Sequence, residues 1–217
     1  MSRAPAKPLK SQPPPRWRRR AEARPEEILE AALEEFTERG FDAARVEDIA
    51  KRAGLSKAAI YLYFPSKLAL LEALIEAKVA PLVRQVQAIA AAGQADPMTA
   101  LRTVAMAAAH RLSDAKLFAV PRLVIGLSGR FPEIAEFYRA NVVEHALNAV
   151  ETLIKGAMAQ GAIRTVEPRA AARAFIGPLL VEAMWTHVLR GESAFAEPMR
   201  LFEHHFDILL NGLEQRA

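Results

Sequence analysis

Apolar residues recur at helical spacing along almost the whole chain. The first such stretch has apolar positions spaced by one, three and four, which is typical of a helix with one buried face. These positions are Ile28, Leu29, Ala32, Leu33 and Phe36. Gly40 follows this stretch and suits the residue that ends a helix. Alternating runs of β-branched residues, which predict strands, do not occur. The pattern therefore predicts an all-α protein of about nine or ten helices.

Breaks between the predicted helices fall at Gly, Pro, Ser and Asp residues. Beyond residue 80 they are Gly93–Pro97, Ser113–Asp114, Pro121, Gly129–Pro132, Gly161, Glu167–Pro168 and Gly191–Ser193. Before them, Ser66 is a good N-cap for a long helix. Pro81 lies inside that helix and should kink it, because proline removes one backbone hydrogen bond.

Two short helices, predicted at about Val46–Ala53 and Lys57–Phe64, meet across Ala53-Gly54-Leu55-Ser56. Glycine allows a tight turn and serine is a favoured N-cap, so this segment fits a helix-turn-helix, whose second helix lies in the major groove of DNA. A small core should hold the two helices at their crossing angle. Its residues are Ile49, Ala50, Leu55 and Ile60.

The second helix carries the candidate DNA contacts. Its first turn, Ser56–Ala59, should point at base edges, since the first turn of a recognition helix enters the groove most deeply. Lys57 contacts either a base or a phosphate. Tyr61 and Tyr63 end in hydroxyls that can reach phosphates, the alternative being ordinary packing at the helix surface. Residues 45–67 carry five basic and two acidic side chains, which makes this surface positive.

Charge is distributed unevenly along the 217 residues, whose net charge is +4. Residues 1–24 carry eight basic side chains against one acid, whereas residues 25–71 carry six basic and nine acidic ones. Prolines are frequent and apolar residues few in residues 1–24, so we expect a disordered, basic Pro/Arg-rich arm. The arm is either a solvated tail or a segment whose arginines, at 16 and 18–20, track phosphates or enter a minor groove.

The stretch from residue 28 to residue 77 resembles the DNA-binding domain of TetR-family transcriptional regulators. The resemblance rests on Phe36 with Gly40-Phe41, on Val46-x-x-Ile49-Ala50, on Ala53-Gly54-Leu55-Ser56, on Tyr61-Leu62-Tyr63-Phe64 and on Ser66-Lys67. It implies a TetR-type DNA-binding domain over 25–80, with the helix-turn-helix at about 45–64. An effector-binding and dimerisation domain would occupy 81–217. The implied function is that of a homodimeric repressor, which a small, largely apolar effector releases from a pseudo-palindromic operator in double-stranded DNA.

Similarity to the family also assigns roles to single residues. Lys57, Ala58 and Ala59 would face bases, while Tyr61, Tyr63 and Lys67 would contact phosphates. The chain departs from the family pattern at Arg45, where a threonine commonly caps the second helix and touches a phosphate. That cap is lost, and a guanidinium contact with phosphate can replace it. Ala58-Ala59 stand where Gly-Thr is frequent, and their methyl groups can pack on thymine methyls.

The C-terminal half offers two local interpretations. In the last helix and the one before it, apolar residues form stripes that predict a dimer interface, the alternative being packing within one subunit. They are Phe175, Leu179, Val188, Met199, Phe202, Phe206, Leu209 and Leu213. Large or polarisable residues on otherwise apolar helices are candidates for an effector pocket, the alternative being plain core. They are Met106, His110, Phe118, Phe137, Tyr138, Asn141, His145, Met184, Trp185 and His187.

Other classes of protein find little support in the sequence. The absence of cysteine excludes disulfides and thiolate metal sites. Gly126-Leu127-Ser128-Gly129 is one residue short of a nucleophile elbow, and loops that bind nucleotides are missing, so we expect no enzyme and no cofactor. His204 and His205 point about 100° apart on a helix, so no metal is assigned. We expect a cytoplasmic protein without a membrane segment. The remaining alternative is an architectural DNA-binding protein without effector control.

Overall fold

The computed structural model describes residues 16–193 and 198–211, with side chains for residues 25–193 and for most of 198–211. These residues form helices only, which confirms the predicted fold class. The helices are α1 (Arg16–Ala43), α2 (Val46–Arg52), α3 (Lys57–Tyr63), α4 (Lys67–Lys78), α5 (Ala80–Ala92), α6 (Pro97–Ser113), α7 (Ala115–Leu127), α8 (Pro132–Tyr138), α9 (Glu144–Ala159), α10 (Pro168–His187) and α11 (Pro198–Asn211). A π turn, Arg139–Val143, joins α8 to α9. If α8, the π turn and α9 are counted as one bent helix, the described part of the chain has ten helices.

The first helix begins earlier than the sequence predicted. It starts at Arg16, so residues 16–24 are helical rather than disordered, and Pro25 lies inside the helix. The physical reason is composition, because this stretch consists mainly of Arg and Ala, which are good helix formers. Residues 1–15 and the side chains of the arginines at 16–20 lie outside the described residues. Near its other end, α1 is broken at Gly40, whose φ of 79° suits the predicted helix end.

The internal prolines act differently from one another. Pro121 does not divide two helices as predicted; it lies inside α7, where burial of that helix's apolar face offsets the lost hydrogen bond. Pro81 stands in the first turn of α5, where its missing N–H is not needed. The expected kink is therefore a break between α4 and α5 at the buried Val79. Ser66 caps α4 as predicted, with its Oγ accepting from the Ala69 N–H at 3.0 Å.

Two apolar cores organise the helices. The first core contains the inner faces of α1–α4, but it is completed by residues from α7, α8 and the π turn, among them Val124, Leu127 and Ile134. The second core joins α6, α9 and α10 with Phe206 of α11. Helix α5 contributes Val83 to the first core and Val86 to the second. The DNA-binding segment predicted at 25–80 is thus packed continuously against the C-terminal half.

Within the described ranges, no single helix combines the length and apolar character needed to cross a membrane; one bent pair, Lys57–Tyr63 with Lys67–Ala92, passes by length and composition alone.

Candidate DNA-binding surface and ligand cavities

Helices α2 and α3 are held together as the sequence predicted. Ile49, Ala50 and Ile60 are buried between them and α1. The turn is a Schellman motif, in which the Leu55 N–H donates to the Ala50 carbonyl at 2.8 Å and the Gly54 N–H donates to Lys51 at 3.2 Å. Gly54 has a φ of 67°, a conformation that residues with a Cβ rarely adopt. This local chemistry fixes the direction in which α3 leaves the turn.

The start of α3 is set by Ser56. Its Oγ accepts from the Ala59 N–H at 3.1 Å, which satisfies one of the free N–H groups of the first turn. Lys57 and Ala58 follow on the exposed surface, while Ala59 is half-buried. The described geometry therefore gives the Ser56 side chain a capping role, and a contact with DNA through this residue stays a prediction.

The solvent-exposed part of α3 is called here the α3 outer face; it extends over more than one side of the helix, since Tyr61 and Tyr63 point about 200° apart. It consists of Lys57, Ala58, Tyr61, Leu62 and Tyr63, all exposed. Leu62 is 85% exposed and was not among the predicted contacts. Its position could have been found from the sequence, because Ile60 and Phe64 mark the buried stripe and Leu62 lies opposite. An apolar side chain that projects this far beside two tyrosines is suited to thymine methyl groups.

Lys57 is paired with an acid of α2. Its Nζ lies 2.5 Å from Oε1 of Glu47, and the ammonium also stands over the ring of Tyr61, 5.8 Å from the centroid. The hydrogen bond to Lys57 lowers the pKa of Glu47, and the same bond raises the pKa of Lys57. Both groups are therefore charged at neutral pH, and the positive charge at the start of α3 is partly neutralised within the protein.

Arg45 precedes α2 in extended conformation and makes no side-chain capping hydrogen bond there. The predicted loss of the cap is confirmed at this residue. Arg45 is exposed, so its guanidinium can reach a phosphate, and that contact stays a prediction.

Lys67 has a role that the sequence did not suggest. Its Nζ donates to three backbone carbonyls at the end of α1, those of Phe41 at 2.5 Å, Asp42 at 3.1 Å and Ala44 at 3.1 Å. The ammonium also stands 4.6 Å from the ring centroid of Phe41. These contacts tie α4 to the α1–α2 connection, and the predicted contact with phosphate is untested.

Arg52 orients α2 against α1. Its guanidinium contacts Glu34 at 2.9 Å, Glu35 at 3.0 Å and Glu38 at 2.6 Å. Glu35 is only 1% exposed and also lies 3.0 Å from Nε of Arg39. The hydrogen bonds with these carboxylates raise the pKa of Arg52, while its bond to Glu38 lowers the pKa of that carboxyl. Two of the five basic residues at 45–67, Arg52 and Lys67, thus form contacts within the protein that stabilise its fold.

Cavities open in the described C-terminal half, among them an α6–α10 cavity and an α9–α11 cavity. The α6–α10 cavity has a volume of about 210 Å³ and an apolar wall that includes Ala109, Leu112, Leu179 and Leu201. The α9–α11 cavity is larger, about 630 Å³, and is lined from residues that include Phe175, Phe206 and Arg164. Among the described residues, no group of three or more His, Asp or Glu side chains could hold a metal ion.

Comparison with known proteins finds two family models that match this sequence. The sequence model for the bacterial regulatory proteins of the tetR family matches residues 28–74, and that for the C-terminal domain of AefR-like transcriptional repressors matches residues 99–201. Together they cover both halves of the chain.

The chain belongs to the TetR family. An uncharacterized HTH-type transcriptional regulator of Bacillus subtilis, YvdT, is 49% identical over 51 residues, which are 24% of this chain and 26% of that protein. The chain thus spans about a quarter of the length of this curated relative.

Solved structures extend the likeness over most of the chain. SmeT, the repressor of the multidrug efflux pump SmeDEF of Stenotrophomonas maltophilia, is 25% identical with a TM-score of 0.68, covering 86% of this chain and 88% of that one. The flavonoid-responsive regulator FrrA is 27% identical with a TM-score of 0.64, covering 90% and 100%. The chain therefore shares the TetR-family fold, including its helix-turn-helix, over most of its length.

In this TetR-family chain, the structure does not gather the predicted pocket residues around one cavity. Phe118 and His187 meet, with ring centroids 5.4 Å apart, and His187 lines the α6–α10 cavity. Phe137 and Tyr138 pack instead on the first core, where burial raises the pKa of Tyr138 to about 12. The remaining predicted residues are exposed or half-buried and are not among those that line the two cavities. They are Met106, His110, Asn141, His145, Met184 and Trp185.

The predicted dimer residues divide into two groups. Phe175, Leu179 and Phe206 are buried in the second core of their own subunit, and Leu209 packs against it. Val188 is exposed. It belongs to an exposed apolar strip, called here the α10 outer strip, that sequence periodicity did not single out. The strip comprises Leu180, Val181, Trp185, Val188 and Leu189. Leu213 and the side chains of Met199 and Phe202 lie outside the described residues.

Proposed function

We propose that this protein is a homodimeric repressor that binds a pseudo-palindromic operator through α3 and leaves it when a small, largely apolar effector occupies the C-terminal half. The observation that carries the proposal is the α3 outer face. Lys57, Tyr61 and Tyr63 combine a positive charge with hydroxyls, and Leu62 adds an apolar contact, all on one exposed helix. Such a set suits phosphates and base edges in a major groove.

The α10 outer strip supports the dimer. A helix-turn-helix protein that reads two half-sites about 34–36 Å apart needs a second copy of its recognition helix. Val181 is 65% exposed and Trp185 is 48% exposed on the same side of α10. Contiguous exposed apolar residues of this kind mark protein interfaces, and a two-fold axis would pair the strip with itself.

Helix α7 supports communication between the C-terminal half and α3. Near its N-terminal end, Phe118 packs against the ring of His187 beside the α6–α10 cavity. Just beyond its other end, the ring of Phe131 meets that of Phe41 edge-on, with centroids 5.5 Å apart. Arg130 forms an ion pair with Asp42 at the same place. An effector that shifts α7 would therefore move the connection between α1 and α2.

The relatives support repression and a response to ligands. SmeT is named as a repressor and FrrA as flavonoid-responsive, and both share the fold over most of this chain. The AefR-like model that matches residues 99–201 also describes a transcriptional repressor. We expect the protein to act in the cytoplasm and to have no catalytic activity.

Selection of bound sequences from a random DNA duplex pool tests the proposal, followed by affinity measurements over a salt series. We expect a palindrome with two half-sites and a strong preference over scrambled DNA. Lys57→Gln and Tyr61→Phe should weaken binding, whereas Lys155→Gln, on α9, should not. Recovery of no motif, with binding that falls uniformly as salt rises, would favour an architectural DNA-binding protein instead.

A further inference from the structure

The α6–α10 cavity contains a carboxylate oxygen that lacks a partner. Its wall is mostly apolar, yet Glu182 of α10 is part of the lining. Glu182 is half-buried, and its Oε1 atom is shielded from solvent and accepts no hydrogen bond from the described residues. A carboxylate oxygen in this state is costly, because burial removes its water and no donor among the described residues replaces it.

Three of the polar side chains that line this cavity with Glu182 direct their hydrogens elsewhere. The Ser113 hydroxyl donates to the Ala109 carbonyl at 2.7 Å, and the Thr186 hydroxyl donates to the backbone carbonyl of Glu182 at 2.9 Å. His187 places Nε2 3.0 Å from the Leu112 carbonyl. Since a carbonyl only accepts, Nε2 carries the hydrogen and uses it there. These three donors are therefore committed to backbone carbonyls, and the carboxylate remains an acceptor.

We propose that the α6–α10 cavity binds a small organic cation, whose N–H group donates to Glu182 and whose apolar body fills the rest. The assignment rests on the proposed function, since it names the chemical class of the effector. A volume of about 210 Å³ is sufficient for a ring with a short side chain, because an apolar cavity of roughly 150 Å³ already holds benzene. The Phe118–His187 contact lies beside this cavity and gives the ligand a route to α7.

Calorimetry on the full chain without DNA tests the ligand class. The probes are phenethylamine and its neutral analogue 2-phenylethanol. We expect the amine to bind more tightly than the alcohol. The Glu182→Gln substitution should weaken the affinity for the amine by about tenfold or more and leave the affinity for the alcohol unchanged. Glu203→Gln removes the same charge from the exposed surface of α11 and serves as the matched control. Equal binding of the two probes, or an unchanged amine affinity in Glu182→Gln, would overturn the proposal.

Thermal unfolding of the ligand-free protein gives a second test that needs no ligand. Glu182→Met removes the unpartnered oxygen and retains a similar volume, so this variant should melt at a higher temperature than the wild type. A lower melting temperature would mean that the fold satisfies the carboxylate, and the proposal would fail.

Operator release is measured separately, with the selected DNA. Amine binding that depends on Glu182 but leaves the operator occupied would support the ligand class and contradict release by this effector. If no operator is selected but the amine still binds in a Glu182-dependent way, the proposed function fails and the ligand proposal stands.

Discussion

The Nζ atom of Lys57 lies 2.5 Å from Oε1 of Glu47, so the first residue of α3 is paired with an acid of α2. The pair spans the two helices of the helix-turn-helix on its exposed side. A phosphate or a base that binds the Lys57 ammonium must first displace Glu47. The Glu47 carboxylate then faces the DNA without its partner. The α2 acid therefore opposes binding at the place where Lys57 favours it.

Glu47→Gln should consequently bind the selected operator several-fold more tightly than the wild type at low salt. Removal of the carboxylate frees Lys57 and abolishes repulsion of the DNA. Fluorescence anisotropy with labelled operator measures the change, and the advantage should shrink as salt screens both charges. The Glu203→Gln variant, which alters the same charge on α11, should bind like the wild type. An unchanged affinity for Glu47→Gln would show that Lys57 does not reach the DNA.

Arg52→Met should lower the melting temperature at neutral pH, because it leaves Glu35 buried with one fewer cation. The hydrogen bond from Arg52 depresses the pKa of Glu38 below its ordinary value of 4.5. The stabilisation is therefore present above that pH and is lost as the pH falls through the depressed value. The difference between variant and wild type should narrow in acid. Arg84→Met, at an exposed position of α5, is the control and should melt like the wild type.

Lys67→Met distinguishes a structural lysine from one that only contacts DNA. Loss of the ammonium leaves three carbonyls at the end of α1 without their donor, so we expect a loss of about 1–2 kcal/mol in the free energy of unfolding. For a protein of this size, that corresponds to roughly 4 °C in melting temperature. A variant that melts like the wild type, yet binds the operator weakly, would show that Lys67 acts by contacting a DNA phosphate and not by stabilising the fold.

Val181→Arg should disrupt the dimer. Placing a charge on the α10 outer strip would bury it unpaired against the second subunit, which costs several kcal/mol. Sedimentation velocity should then show a monomer, and the operator should be bound weakly as half-sites. Ile125→Arg changes a residue of α7 that is 43% exposed and lies off the strip; this variant should remain dimeric. A dimeric Val181→Arg protein would exclude the strip as the interface.

The helix-turn-helix could be predicted closely because its determinants are local. The predicted helices extend only one residue too far, since Gly54 and Ser56 specify the turn and the cap by their own conformations. The roles of Arg52 and Lys67 could not be predicted, because their partners lie 14 or more residues away in the chain. A basic residue near a recognition helix has the same sequence signature whether it faces phosphate or a carboxylate of its own fold.

Helical periodicity identifies an apolar face but not what covers it. Phe175 and Phe206 satisfied the pattern of a dimer seam, yet they meet each other inside one subunit, with ring centroids 6.2 Å apart. The residues predicted for the pocket are dispersed in the structure for a related reason. Large side chains such as Phe118 fill space, whereas the lining of the α6–α10 cavity includes small ones such as Ala109 and Ala183.

The sharing of the first core has a consequence for protein engineering. Val124, Leu127 and Ile134 complete the core on which α1–α4 are built, although they lie far beyond residue 80 in sequence. A hybrid regulator spliced near residue 80 would combine a DNA reader with a foreign α7 and α8, and the joined surfaces would not match. Exchange of operator specificity should instead graft the α3 outer face alone, which leaves every buried contact between the halves in place.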